Sequence, residues 1–357
     1  MKKKIVFIVK FSLAFTVSLV VLEIFLRLTQ ISLPSTITID KKLGRKFKPN
    51  ARIMIAAEGF RMGKTNKYGY TGTAYPPERN RDALRIALVG DSYVEGHYLP
   101  ERYYFGKIME KELPHLINRD VEVLNFGLAG LNFRRMYINY AEWVTDYNPD
   151  ITLFFIAPFD LLEKETHLGP RCRMENGSLV ISHDFNRSRS YKIREKLEFL
   201  RNFSFFSLLQ KAYAMFRLGR TGHILLGSLN PFGDGDGDGE GNGDAGDPPS
   251  MQNDDYLEIN RAIFKKLRAV NDTGKSRNII VLKSAVPAYY KKMIEGMGLP
   301  LIDLSGELEK MESEGIDPYY WKATKKRGHW NHEAQRMIGN YLAEQLSNGE
   351  LNEKSSH

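Results

Sequence analysis

The stretch that leaves this chain the fewest folding options is Leu84–Gly96, LRIALVGDSYVEG. Its apolar run from Ile86 to Val89 has the length and content of a buried strand. Gly90 breaks the run and leaves Asp91 and Ser92 at the strand's carboxyl end, the edge at which open α/β sheets bind ligands. A serine there, in a Gly-Asp-Ser-x-x-x-Gly turn, can offer both its Oγ and its own backbone N–H to a substrate. Gly, Asp and Ser are also ordinary turn residues, so the tripeptide alone is compatible with a plain turn.

The chain then repeats the strand-to-helix alternation. Phe105, Ile108, Met109 and Leu113 have helical spacing, which Pro114 is expected to close. Val121–Asn125 reads as a second strand and runs into the glycine-bearing turn Phe126–Gly130. An amphipathic stretch, Phe133–Tyr147, leads through Asn148-Pro149-Asp150 to Ile151–Ile156, the most apolar strand in the chain and so expected at the sheet centre. A hairpin is expected at Asn176-Gly177, and basic helical segments from Tyr191 to Arg220. After a helix over Tyr256–Val270, Asn278–Leu282 and Leu299–Leu304 complete five strands, with a short helix at Tyr289–Met297. Ala334, Met337, Ile338, Tyr341, Leu342 and Leu346 share one helical face, with Asn331 as N-cap and Glu333 in the first turn. Five strands alternating with helices predict an α/β domain over 84–347, its parallel sheet covered on both faces.

The flanks are of another kind. Three lysines in Met1–Lys4 precede a mostly apolar segment, Ile5–Leu28, interrupted by Lys10, Glu23 and Arg27. No small-residue cleavage site follows, so residues 1–30 read as an uncleaved signal anchor or transmembrane segment rather than a cleaved signal peptide. Residues 31–83 read as an irregular lead-in, with a turn-rich aromatic stretch at Thr65–Gly72. Residues 230–250 are Gly/Asp-rich, and Asp236, Asp238, Glu240, Gly241 and Asp247 fall in an EF-hand-like register. No helical pattern enters that loop, and its composition favours a self-repelling flexible insertion. Residues 348–357 read as a disordered tail.

Hydrophobic residues make up 42% of the chain and aromatic ones 11%, enough for a packed core. The net charge of +8 is scattered and accompanies no zinc-finger or RNA-binding motif. It points to an anionic membrane surface rather than nucleic acid. Cys172 is the only cysteine, which leaves no intramolecular disulfide. His329 and His332 have no third ligand nearby in sequence, so neither a metal nor another cofactor is assigned.

Nucleophilic serine chemistry needs a base for the Oγ proton and donors for the developing oxyanion. Ser92 follows the first strand and His329 precedes the last helix, so both lie at segment ends that can converge. Gly130 ends the second strand's turn with an unhindered N–H. His97 suits either a pocket wall or a packed loop, and Trp321 and Trp330 either sugar stacking or the core.

In order and spacing, three blocks resemble the SGNH (GDSL-type) hydrolases: Gly90-Asp91-Ser92-x-x-x-Gly96, Asn125-Phe126-Gly127-Leu128-Ala129-Gly130 and His329-Trp330-Asn331. Asn66-Lys67-Tyr68-Gly69-Tyr70 and Asn148-Pro149-Asp150 are similar to bacterial, membrane-anchored members. The resemblance implies a three-layer α/β/α, flavodoxin-like fold. It implies ester hydrolysis or O-acyl transfer, often on O-acetylated envelope carbohydrate, by a domain facing the periplasm or extracellular side from a single-pass inner-membrane anchor. Ser92 matches the family nucleophile and His329 its base; Ser92 and Gly130 match two oxyanion donors, with Asp91 and Asp160 as supporting groups. The family's third block carries Asn-Asp, where this chain has Phe159-Asp160, and the family's acid shortly before the histidine is replaced by Lys326 and Arg327. Asp160, Asp303 and Asp317 are the candidates to supply that acid from elsewhere. Those departures keep a second reading open, a catalytically degenerate member that binds glycan or scaffolds polysaccharide assembly.

Overall fold

The structure, a computed structural model, describes residues 2–79, 82–162, 169–217 and 254–350. The Gly/Asp-rich loop at 230–250 and the tail from 351 lie outside these residues. The chain opens with α1 (Lys2–Thr29), which is exposed throughout apart from Leu26 and a few half-buried positions near its end. This helix is long and apolar enough to cross a bilayer. Two antiparallel hairpins follow, β1 (Ile37–Asp40) with β2 (Gly44–Phe47) and β3 (Arg52–Ile55) with β4 (Arg61–Lys64). The lead-in is therefore ordered rather than irregular: its short strands pair only with each other, and such segments are too brief for a period-2 pattern to register.

The α/β unit begins with β5 (Leu84–Val89), the one-turn α2 (Ser92–Glu95) and α3 (Phe105–Ile117). Pro114 does not end α3. It sits inside the helix, which stops at Asn118 in the left-handed conformation, φ 51°. Next come β6 (Val121–Asn125), α4 (Phe133–Glu142), β7 (Ile151–Ile156) and α5 (Pro158–Leu162). The amphipathic stretch after β6 thus breaks at Trp143, and a 3₁₀ turn, Val144–Tyr147, completes it. A hairpin of β8 (Arg171–Glu175) and β9 (Ser178–Ser182) turns at Asn176-Gly177, and is followed by α6 (Arg189–Lys196), α7 (Ser204–Arg217) and α8 (Asp254–Asp272). The unit closes with β10 (Arg277–Leu282), α9 (Ala288–Gly296), β11 (Leu301–Asp303), α10 (Ser305–Ser313), the two-residue pair β12 (Tyr320–Trp321) and β13 (Lys326–Arg327), and α11 (His332–Gln345). Helical backbone runs on through Glu350, past the point where the tail was expected to begin.

Five strands form one parallel sheet in the order β11-β10-β7-β5-β6, with the apolar β7 at its centre. In order of appearance this is the flavodoxin-like arrangement 2-1-3-4-5, whose switch point lies between β5 and β7. Alternation along each strand separates two cores. Ala87, Val89, Phe154 and Ile280 face α4, α8 and α9 through Met136, Phe264 and Ile294. Ile86, Leu88, Phe155 and Val281 face α3, α10 and α11 through Met109, Leu308 and Ile338. The result is a three-layer α/β/α domain in which Ser92 opens α2, three residues beyond the end of the first strand of the sheet, at the switch point.

Candidate active site

The turn after β5 is shaped by its glycines. A Cβ on Gly90 would overlap Val94 and press on Phe155, and Gly96 closes α2 in the left-handed region at φ +66°. Asp91 caps α2 by accepting the Tyr93 N–H at 3.1 Å. Ser92 is thereby held at the first helical position, half-buried, with its hydroxyl turned to His329.

His329 sits just before the Asn331 cap of α11, whose side chain accepts the Ala334 N–H at 3.0 Å. The Oγ of Ser92 and the Nε2 of His329, 237 residues apart in sequence, are 2.8 Å apart. The imidazole is 4.1 Å from the stacked ring of Tyr98 and 4.5 Å from Tyr93, while the Trp321 indole donates to the His329 carbonyl at 2.9 Å. Aromatic contacts and the backbone tether leave the ring little freedom to turn away.

The acid partner is Glu58, in the β3–β4 connection of the lead-in. Its Oε2 lies 3.0 Å from His329 Nδ1 and accepts the His329 backbone N–H at 2.6 Å. An ionised carboxylate only accepts, so Nδ1 carries the ring proton and Nε2 presents its lone pair to the Ser92 hydroxyl. Gly328 makes the approach possible, since a Cβ there would occupy the space of the Glu58 carboxylate. Thr324 Oγ1 donates to the Glu58 carbonyl and ties the loop down. Asp160, Asp303 and Asp317 are otherwise engaged. Arg327 pairs with Asp317, Asp303 pairs with Lys291 at 2.9 Å, and Asp160 lies fully buried beside Lys283. Only the basic residues at 326 and 327 hinted that the acid comes from elsewhere; no local motif marks Glu58.

Gly130 lies in the loop after β6, and this loop is docked onto the serine turn. Ala129 N–H donates to Glu95 Oε2 at 2.6 Å, and Arg45 Nη2 donates to the Ala129 carbonyl at 2.8 Å. Because a trans peptide points its C=O and next N–H in opposite directions, Arg45 sets the direction of the Gly130 N–H. Gly127 packs directly on the α2 backbone, where a Cβ would overlap Val94 and Glu95. Gly127→Ala should therefore cost about 1–3 kcal/mol, read as a lower urea midpoint at unchanged slope. His97 belongs to this loop packing: it is 9% exposed and paired with Glu95. Trp330 is fully buried and Trp321 nearly so, which places both in the core rather than on a sugar. Phe159, at the position of the third-block asparagine, is 51% exposed and carries no side-chain donor.

Beneath the serine turn, Lys283 from the end of β10 joins the two aspartates singled out as supporting groups. Its ammonium, 3% exposed, bonds to Asp91 and lies 3.1 Å from Asp160 Oδ2, which also accepts the Ala157 N–H at 2.7 Å. Burial opposes the Lys283 charge, but Asp91 and Asp160 outweigh it and hold its pKa above the ordinary lysine value. For Asp160, burial dominates over the pull of Lys283, and with the Asp91 charge beside it the carboxyl is pushed up to about 7. The native state thus keeps a proton that the unfolded chain loses near its ordinary value of 3.8. The associated stability is full below about pH 4 and is lost as pH rises through 7. Asp160→Asn mimics the protonated form, so its melting temperature relative to wild type should climb between pH 5 and pH 8. A difference that stays flat across that range would contradict this protonation state.

Among the described residues, no group of three or more His, Cys, Asp or Glu is placed to hold a metal ion. No protein-family model matches the chain, and no curated protein matches it. Among solved structures, it is similar to an acetylxylan esterase from Geobacillus stearothermophilus at 10% identity and a TM-score of 0.38, covering 74% of this chain and 94% of that one. A lipase/acylhydrolase from Enterococcus faecalis matches at 12% identity and a TM-score of 0.36, over 74% and 95% of the two chains. A further acetyl xylan esterase matches at 12% identity and 0.37, over 74% and 100%.

Proposed function

We propose that this chain is a membrane-anchored serine esterase of the SGNH type, in which Ser92 is the nucleophile, His329 the general base and Glu58 the acid that orients it. The observation that carries the reading is the continuous line Ser92 Oγ–His329–Glu58, with contacts of 2.8 and 3.0 Å. In the reaction, His329 Nε2 takes the hydroxyl proton as Oγ attacks the ester carbonyl, then returns it to the leaving alcohol. Water, activated by the same imidazole, hydrolyses the acyl-enzyme; an acceptor hydroxyl in its place would make the enzyme an O-acyltransferase. The backbone N–H groups of Ser92 and Gly130 are the proposed oxyanion donors, and Phe159 leaves the hole without a third from that position. Loss of one such donor is worth on the order of 10²–10³ in rate, so modest turnover is expected.

The proposed substrate is an O-acyl ester, acetyl first, of an envelope carbohydrate, in keeping with the motifs that resemble the SGNH family. Glu58 weakens the degenerate, glycan-binding reading, because the base is supported after all. Phe159 is the observation that keeps that reading in play. The deciding experiment is p-nitrophenyl acetate hydrolysis by the full-length protein together with labelling by a fluorophosphonate probe. Turnover with labelling at Ser92 supports the esterase; neither signal leaves the binding role. Acetyl transfer to an added sugar acceptor, at the expense of hydrolysis, distinguishes the transferase.

A further inference from the structure

A cavity of about 610 Å³ lies where α1 meets the folded body. It is lined by Arg27 from the last turn of α1, Pro34, Lys48, Arg52 at the start of β3, and Asn202. The junction itself is well built. Leu26 is 2% exposed, Arg27 Nη2 donates to the Asn202 carbonyl at 2.7 Å, and Glu23 accepts the Ser204 and Phe205 N–H groups at 2.9 and 3.0 Å. Lys48 Nζ reaches Asn202 Oδ1 at 2.9 Å, whereas the exposed Arg52 guanidinium has no partner among the described residues. Leu28, Ile31, Phe199 and Phe203, chain neighbours of these groups, are exposed apolar side chains.

We infer that this cavity holds the phosphate of an anionic phospholipid headgroup in the leaflet where α1 enters the body. Three cationic side chains line a space large enough for a headgroup. Arg27 also pairs through Nε with Glu23 at 2.6 Å, which leaves Lys48 and Arg52 as the cavity's uncompensated charges, and guanidinium groups match phosphate oxygens in a fork geometry. The position argues for lipid over free phosphate. Arg27 is in the last turn of the apolar helix itself, and Phe199 and Phe203, close to the cavity-lining Asn202 in the chain, are exposed. The inference is independent of the esterase reading.

The test uses the full chain in nanodiscs of phosphatidylglycerol or phosphatidylcholine, released and weighed by native mass spectrometry. Phosphatidylglycerol should remain bound to the wild type and phosphatidylcholine should not, with excess inorganic phosphate failing to displace the lipid. Arg52→Ala should lower lipid occupancy about fivefold and the charge reversal Arg52→Glu roughly thirtyfold. Because Arg52 is exposed, both variants should melt at the wild-type temperature. Equal retention of the two lipids, indifference to Arg52→Glu, or displacement by inorganic phosphate would overturn the assignment.

Discussion

Changing Ser92 to alanine should lower kcat for p-nitrophenyl acetate by on the order of 10⁶ and abolish fluorophosphonate labelling. The hydroxyl that His329 Nε2 meets is the Ser92 Oγ, at 2.8 Å, and an alanine there has no oxygen to attack the ester. Folding should be untouched, because Asp91 caps α2 through its own carboxylate and the Ser92 Oγ partner is the histidine. His329→Ala should cost a similar factor, and the double variant little more than either alone, since the two side chains act as one unit. Additive losses, or substantial turnover remaining in Ser92→Ala, would remove Ser92 from the chemistry and with it the proposed mechanism.

Glu58→Gln should lower kcat by on the order of 10⁴ with KM little changed. The amide keeps the size of the carboxylate but not its charge. It no longer stabilises the imidazolium, and it can donate to Nδ1 and so leave the proton on Nε2, the wrong tautomer for accepting from Ser92. Glu58→Asp should recover part of the loss, because a shorter carboxylate still accepts from the ring if the loop yields. The hydrogen bond to the His329 N–H at 2.6 Å also contributes to structure, so the melting temperature should be read beside the rates. A fall in kcat with the melting temperature preserved identifies an electrostatic and tautomeric role. Wild-type rates in Glu58→Gln would assign the carboxylate a purely structural part.

Most of the sheet was legible in the residues. Ile86–Val89 and Ile151–Ile156 carry their own strand signal, and the central place of β7 follows from its being apolar on both faces. Asn331 announces the start of α11 through its capping side chain, and Asn176-Gly177 announces the β8–β9 turn. Reading failed where local preference and packing part company. Pro114 looked like a terminator, yet α3 runs on to Ile117. The lead-in looked irregular because its strands are only four residues long, and their order comes from partners across each hairpin.

What the chain determines by itself is the alternation of strands and helices, the serine at the end of the first strand and the histidine before the last helix. These depend on neighbours within a few residues, through periodicity, caps and turns, and such information is written locally. The folded molecule decided which carboxylate completes the site. Glu58 reaches His329 across 271 positions because the β3–β4 connection packs on the segment before α11, where Thr324 holds the Glu58 carbonyl and Gly328 leaves room for its carboxylate. The same is true of Lys283, which meets Asp91 and Asp160 only because β10 lies next to β7 and its carboxyl end faces the serine turn. Contacts of that kind are set by the packing of whole elements, whose outcome no short stretch of sequence contains.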